Sequence, residues 1–369
     1  MKIASYNVEN LFRRAKALNE DEEIAKRINT EIADLNSLLK KTVYTPADKT
    51  KIVNLLIALG MQKSDTGEFA ELRKNKGKLL SRKAGTNEIT IVANGCEDWI
   101  GDVVHKLEPV DEVAITNTAR VISEVNADII GIVEAEDRIS LDKFNRQVMK
   151  NVGGTPYKHV MVIDGNDERG IDVGIMTKMG YTISTIVSHI YDEDNAGKKV
   201  FSRDCPEYLI TTPTNEKIWV LPNHFKSKFG GDTPASRNKR KLQSERTAAI
   251  YNALVSAGND NIIVLGDLND TPDSVAIQPL FDLTNLKEVT DHPTFSSGTF
   301  AGTGTYGTGT DSNKIDYILL SPNLFARVTA AGLFRKGAWT ASGRWDMFAD
   351  LKKEIHAASD HHLIWCEIS

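Results

Sequence analysis

Cysteine is scarce in this chain: Cys96, Cys205 and Cys366 are the only three, far apart and odd in number. They suggest neither a disulfide framework nor a cysteine-based zinc site, and a reducing cytoplasm is the simplest setting. No apolar run reaches the about 18 residues of a membrane span, so none is expected. The opening MKIASYNVENLF reads as a strand from its third residue and lacks the long apolar stretch and cleavage site of a secretory signal. Positive charge is in deficit as well, with 45 Lys and Arg against 50 Asp and Glu. That balance argues against binding nucleic acid through a strong overall positive field, but it leaves room for a local basic groove. Internal repeats and low-complexity linkers are absent, so nothing in the composition separates independent domains.

What the chain does have is a series of short, β-rich apolar runs: Lys2–Asn7, Asp128–Val133, His159–Ile163, Ile171–Met176, Lys217–Leu221, Asn261–Leu265, Ile315–Leu320 and Leu363–Ile368. Several end in a polar cluster instead of a plain turn, which places chemistry at strand ends in a mixed α/β protein. Between the first two runs lies a segment, 13–112, that is expected to be mainly helical and inserted into one domain spanning 1–369. Ile24, Ile28, Ile32, Leu35 and Leu39 recur there at helical spacing. A second helix begins at Thr45-Pro46-Ala47-Asp48, with a capping Thr, a first-turn Pro and an Asp that favours the positive helix end, and Gly60 is its stop.

Two basic stretches carry competing readings. Arg73-Lys74-Asn75-Lys76-Gly77-Lys78, with Arg82-Lys83, is a solvated face or a backbone-contacting patch, and the solvated face is favoured. A helix over 234–256, capped by Thr233, carries Arg237, Lys239, Arg240 and Lys241 near its start, where positive charge opposes the helix dipole. That misplacement fits a phosphate-facing role and an exposed helix end equally well. The Gly-, Thr- and Ser-rich segment Ser296–Asn313 reads as a loop.

Six clusters place carboxylate, amide or imidazole groups beside strands: Asn7-Val8-Glu9, Glu134, Asn223-His224, Asp267-Leu268-Asn269, Asp316 and Asp360-His361. Each alone has a bland explanation. A carboxylate after a strand is usually a turn or cap residue, Asp267 can make an Asx turn, and a lone histidine is more often structural. Together they supply what phosphodiester cleavage demands: hard oxygen ligands for a divalent cation, a carboxylate to orient water, and amide or imidazolium donors for developing phosphoryl charge.

The ordered set resembles the endonuclease/exonuclease/phosphatase superfamily, the DNase I-like proteins. The matching strings are SYNVENLF (5–12), DIIGIVEAED (128–137), RGIDVGIM (169–176), NHFKSK (223–228), GDLNDTPDS (266–274), KIDYILLSP (314–322) and SDHH (359–362). The resemblance implies a four-layer α/β sandwich: two packed, mostly antiparallel sheets flanked by helices, with the helical insertion after the first strand. It implies Glu134 as principal metal ligand, Glu9 as a supporting one, and Asp360 on a second metal or a metal-bound water. By the same likeness Asp267 orients or deprotonates water, Asn269 contacts the scissile phosphate, and Asn7 hydrogen-bonds within the site. His361 lies at the phosphate with Asp316 as its carboxylate partner, and His224 matches an acid–base histidine of the DNase I-like branch. Arg169 and Lys226 are expected near substrate phosphate, Mg2+ or Mn2+ is the expected cofactor, and His362 is expected on the opposite strand face.

Three departures stand out. Val133 precedes Glu134 where many members carry Gln, Glu136 and Asp137 stand close enough to compete as ligands, and the insertion blocks carry-over of substrate identity. The expected function is a metal-dependent nuclease acting on DNA or RNA by direct water attack. The rivals are a phosphatase or phosphodiesterase for a small nucleotide, inositol phosphate or phospholipid head group, and an inactive binding module. Against the last stands the joint presence of Asn7, Glu134, Asp267, Asn269, Asp316 and His361.

Overall fold

A computed structural model describes residues 1–9, 22–83, 85–106, 111–167, 170–228 and 231–369. The chain divides into two compact units: Met1–Phe12 with Val110–Ser369, and Arg13–Pro109. The elements begin with β1 (Lys2–Asn7), α1 (Glu22–Leu39), α2 (Pro46–Ala58), β2 (Ala70–Gly77), β3 (Leu80–Arg82), β4 (Ile89–Ile91), β5 (Trp99–His105), α3 (Glu112–Val125), β6 (Ile129–Ala135) and α4 (Arg138–Asn151). They continue with β7 (His159–Ile163), β8 (Asp172–Thr177), β9 (Thr182–Val187), β10 (Glu207–Thr211), β11 (Lys217–His224), α5 (Pro234–Ser256) and β12 (Ile262–Asp267). The last are α6 (Gln278–Asp282), β13 (Lys287–Glu288), β14 (Phe295–Ser296), β15 (Asp316–Leu320), α7 (Pro322–Phe325), β16 (Val328–Phe334) and β17 (Leu363–Ile368).

The larger unit is built on two sheets, ordered β14-β16-β17-β1-β6-β8-β7 and β13-β15-β12-β11-β10-β9. Most neighbours are antiparallel, but β1 runs parallel to β6, β14 to β16 and β11 to β12. Period-two alternation decides how the layers stack. Ile3, Ile129 and Ile175 from the first sheet meet Tyr208, Val220, Ile263 and Ile318 from the second in one fully buried cluster. The opposite face of the first sheet, with Tyr6, Ile130 and Ile132, packs on α3 and α4 through Val121, Ile122, Leu141 and Phe144. The outer face of the second, with Leu221, Val264 and Leu319, packs on α5 and α6 through Tyr251, Leu254 and Leu280. The order is helix, sheet, sheet, helix, as the resemblance implies.

The smaller unit has its own core, in which Ile28, Leu35, Ile52, Leu56, Leu72, Trp99 and Val103 are buried. Capping by Thr45 appears as a reciprocal box with Asp48: the Thr45 hydroxyl accepts from the Asp48 N–H, and the carboxylate accepts from the Thr45 N–H at 3.0 Å. Among its described residues the expected helices α1 and α2 are accompanied by four strands that the sequence did not announce. β2 pairs with β5 and β3 with β4. The strand β2, AELRKNKG, buries only Ala70 and Leu72, so its remaining charged positions hide the alternation that marks a strand in sequence. Asn36 supplies the tie to this ribbon: its amide donates to the Val103 carbonyl at 2.7 Å and accepts from the Val103 N–H at 2.8 Å.

At the basic start of α5 Lys241 is exposed and Arg237 and Lys239 are partly so, but Arg240 fits neither expectation. Arg240 is fully buried, donating to Asp270 at 2.9 Å and to the Lys226 carbonyl at 3.2 Å, with Asp232 as its third partner. It clamps the loops after β11 and β12 together instead of facing phosphate or bulk solvent. Arg237 pairs with Asp232 at 3.0 Å, Lys241 with Glu245, and Lys239 donates to the Lys199 carbonyl.

Candidate active site

Two parallel strand pairs, one in each sheet, end side by side, and the chemistry-bearing residues of both gather at their carboxyl ends. Asn7 closes β1 and Glu134 lies near the end of β6; His224 closes β11 and Asp267 closes β12. Asp316 opens the antiparallel β15 directly opposite Asp267. The Ser359–His362 turn enters just before β17.

Backbone conformation turns several of these side chains inward. Among the described residues the positive-φ positions other than glycine are Glu9, Asn126, Glu134, Asn215 and Asn269, so three of the five belong to this site. A side chain at positive φ is strained, and such strain persists where surrounding structure holds it. Glu134, at φ 66°, sits where the β6–β8 register slips between Val133 and Ala135. That bulge re-aims its carboxylate. Gly266 is needed for a different reason: at φ 128° a Cβ there would stand 2.0 Å from the Asn223 carbonyl oxygen. Only glycine lets β11 and β12 approach closely enough to bring His224 beside Asp267.

The polar network is dense. The Asn7 amide donates to Asp267 Oδ2 at 3.2 Å, and its own oxygen accepts from the Glu9 N–H at 3.0 Å. Glu9 Oε2 accepts from the Asp360 N–H at 3.0 Å. Ser359 Oγ donates to the Asn7 carbonyl at 2.8 Å and accepts from the His361 N–H at 2.9 Å, joining the two chain ends of the site. His361 Nδ1 lies 2.8 Å from Asp316 Oδ2, while its Nε2 lies 3.9 Å from Asp267 and 3.7 Å from Asp360. His224 Nε2 is 3.8 Å from both Glu134 and Asp267. Asp267 also caps its own turn, accepting from the Asn269 N–H at 2.8 Å, and the Asn269 amide donates to the Phe225 carbonyl at 3.2 Å. The Asx-turn and site readings of Asp267 therefore hold together.

Burial and charge pull these groups apart in pKa. Burial, reinforced by the Asp316 carboxylate, raises Asp267 well above the ordinary carboxylate range. Burial opposes a charge on His361, but Asp316, then Asp360 and Asp267, outweigh it and hold the imidazolium. The neighbouring His362 is the reverse case: burial, with the charges of Arg335 and His361, keeps it neutral against Trp345, ring centroids 4.8 Å apart. Asp137, a possible competing ligand, is used as the cap of α4 and accepts from the Ser140 N–H at 2.7 Å.

A cation fits this donor set. Asp267, Asp316 and His361 offer ligand atoms within 4.8 Å of one another and could hold a metal ion. Asp316 Oδ1 is buried with no hydrogen-bond partner among the described residues. Hard carboxylate oxygens with few counter-charges suit a hard divalent ion better than a soft one.

Of the expected phosphate contacts, Arg169 lies outside the described residues. Lys226 is half-buried beside His224, its backbone N–H donating to Gln243 at 2.8 Å and its ammonium to the Ser227 carbonyl at 3.2 Å. Sequence reasoning overlooked Tyr306, whose ring centroid lies 5.0 Å from that of His361, and Asp172, which pairs with Ala135 directly beside Glu134. Asp172 lies inside the RGIDVGIM string, which marked the strand but not this carboxyl.

The family model described as Endonuclease/Exonuclease/phosphatase family matches residues 98–340. The chain belongs to that family, whose members are phosphoric ester hydrolases and generally depend on a divalent metal. A mannosyl-6-phosphatase of Bacteroides thetaiotaomicron is similar in fold, with TM-score 0.51, 14% identity, and coverage of 69% of this chain and 90% of its own. An endonuclease/exonuclease/phosphatase family protein of the same organism gives TM-score 0.51 and 14% identity, covering 69% and 85%. Truncated TDP2 of Caenorhabditis elegans gives TM-score 0.48 and 17% identity, covering 69% and 88%. No curated protein matches the sequence. Among the described residues no helix is long and apolar enough to cross a membrane.

Proposed function

We propose that this chain is a phosphodiesterase dependent on Mg2+ or Mn2+ that hydrolyses nucleic acid by direct attack of water on phosphorus. The observation that carries the reading is the gathering of Glu134, Asp267, Asn7 and the Asp316–His361 pair at facing strand ends, where acid, base and cation ligands meet. Glu134 and Glu9 would hold the metal with Asp360 at its edge, and the ion would neutralise phosphate charge and lower the pKa of water. Asp267, with its pKa raised by burial, orients the attacking water and takes its proton. His361, kept charged by Asp316, donates to the phosphoryl oxygens as charge develops on them. Asn269 has spent one N–H on the Phe225 carbonyl and offers the other to the same phosphate. His224, whose Nε2 lies 3.8 Å from both Glu134 and Asp267, would share in the acid–base chemistry at the phosphate.

A covalent route has no support. Cys205 and Cys366 are fully buried with thiols raised far above the ordinary range, and the Ser359 hydroxyl is committed to Asn7 and His361.

The test is cleavage of supercoiled plasmid, single-stranded DNA and RNA with Mg2+ or Mn2+, beside Glu134→Gln and His361→Ala. Metal-dependent cutting that both substitutions abolish supports the reading. Turnover of small phosphoesters with none of any polymer overturns it in favour of a small substrate.

A further inference from the structure

We infer that Tyr306 is a specificity-determining residue that stacks on the nucleobase next to the scissile phosphate, so that the site prefers phosphodiesters bearing a planar ring. This inference rests on the nuclease reading above.

The argument starts from exposure. His361, Asp267 and Asp316 are nearly inaccessible, at 7%, 1% and 1%, whereas Tyr306 is 40% exposed and packs edge-on against His361. It is the large flat apolar surface that the imidazole shares with solvent. A phosphate engaged by His361 would lie beside this exposed ring.

The ring is held in place by its backbone. Tyr306 forms an isolated antiparallel bridge with His361. The bridge is bracketed by His362 N–H to the Thr305 carbonyl at 2.7 Å and Gly307 N–H to the Asp360 carbonyl at 2.8 Å. The Tyr306 N–H donates to the Asn313 carbonyl at 3.1 Å, and Thr305 Oγ1 accepts from the Asp316 N–H at 2.8 Å. Behind it Arg335 donates to the carbonyls of Gly304 at 2.9 Å and Gly302 at 2.5 Å, with its guanidinium over Phe300 and Trp345. A loop rich in glycine is thus fixed from within, and a pre-placed ring loses little entropy when a base stacks on it.

The test uses the full chain with Mn2+ and two dinucleotides that differ only in whether a base or a tetrahydrofuran residue flanks the scissile phosphate. Base–aromatic stacking is worth about 1–3 kcal/mol, so Tyr306→Ala is expected to lose about 5- to 150-fold in kcat/KM on the base-bearing substrate, mainly in KM. On the base-free substrate it should lose far less. Tyr306→Phe should retain the preference, and Tyr306→Leu, which keeps bulk without the π-face, should lose it. Equal losses on both dinucleotides, or a loss in the Phe variant as large as in Ala, would overturn the role of Tyr306 while leaving the nuclease reading intact. If the wild-type chain turns over neither dinucleotide but hydrolyses a phosphomonoester, the nuclease reading fails and this inference fails with it.

Discussion

The strand-end site and the basic ribbon of the smaller unit handle charge in opposite ways. In and beside the ribbon part of the charge has a local answer: Asp65 takes both Lys74 at 2.5 Å and Arg82 at 2.8 Å, and Arg73 stands across the strand pair from Asp102. At the site, the carboxylates of Glu134, Asp267, Asp316 and Asp360 are grouped around two imidazoles. Lys314, buried among the described residues, is spent on Glu288 and on the Asp316 carbonyl. Balanced charge on an exposed surface contributes little to stability and asks for no ligand. Unbalanced charge under burial is costly, and it persists where a cation or a reaction uses it.

The largest effects should follow from disturbing the unbalanced group. His361→Ala is expected to lower kcat/KM by about 10²–10⁴-fold, the usual range for a positioned acid–base residue. Asp316→Asn should cost less, about 10–100-fold, because the imidazole stays oriented while losing the carboxylate that holds its charge. NMR titration checks the cause: in the Asn variant His361 should lose its proton at lower pH than in wild type. An unchanged titration would mean that Asp360 and Asp267 alone keep the imidazolium.

A smaller effect sharpens the same contrast through stability. Burial, with Asp164 and Asp167 adding to it, raises Asp172 from 3.8 to about 7. The folded chain therefore holds a proton that the unfolded chain releases across that window, so this group's contribution to stability falls as pH rises from about 4 to about 7. Asp172→Asn keeps an oxygen to accept the Gly165 N–H, which Asp172 Oδ1 now accepts at 2.8 Å. The variant should melt higher than wild type at pH 8 and close to wild type at pH 4. A pH-independent gap in melting temperature would show that Asp172 does not titrate there.

What could be read from the sequence was what is local. The strand runs recur as β1, β6, β7, β8, β11, β12, β15 and β17 because each is a short, apolar, β-rich run that is buried along most of its length or half-buried throughout, and the Thr45 and Thr233 caps sit where their side chains bond the helix start. The candidate site residues were nameable because they lie beside strands in an order that resembles the family's. The left-handed turns of Glu9 and Glu134 were not, since glutamate carries no local preference for positive φ; only the bulge shows it. Tyr306 and Arg335 stayed hidden because their roles depend on contacts between a glycine-rich loop and distant β16 and β17. Arg240 was unreadable for the converse reason: a helix-start arginine looks exposed until Asp232 and Asp270 close over it.

The smallest effect belongs to the ribbon, and it can break the comparison. Lys74→Ala, Lys76→Ala and Lys78→Ala together remove three exposed charges of a run that resembles a nucleic-acid patch. If that run is a solvated face, the triple variant should keep kcat/KM within about twofold and lose less than about 1 kcal/mol of stability, as expected for surface pairs. The decisive measurement is the salt dependence of polynucleotide cleavage. A patch contacting phosphates would give a slope that flattens by nearly one unit for each cation removed, because each contact releases a condensed counterion. An unchanged slope leaves the ribbon a self-neutralised surface. A flattened one would mean that Lys76 and Lys78 bind polynucleotide despite the overall negative charge of the chain, and that local pairing with Asp65 does not suppress phosphate binding on the same strand.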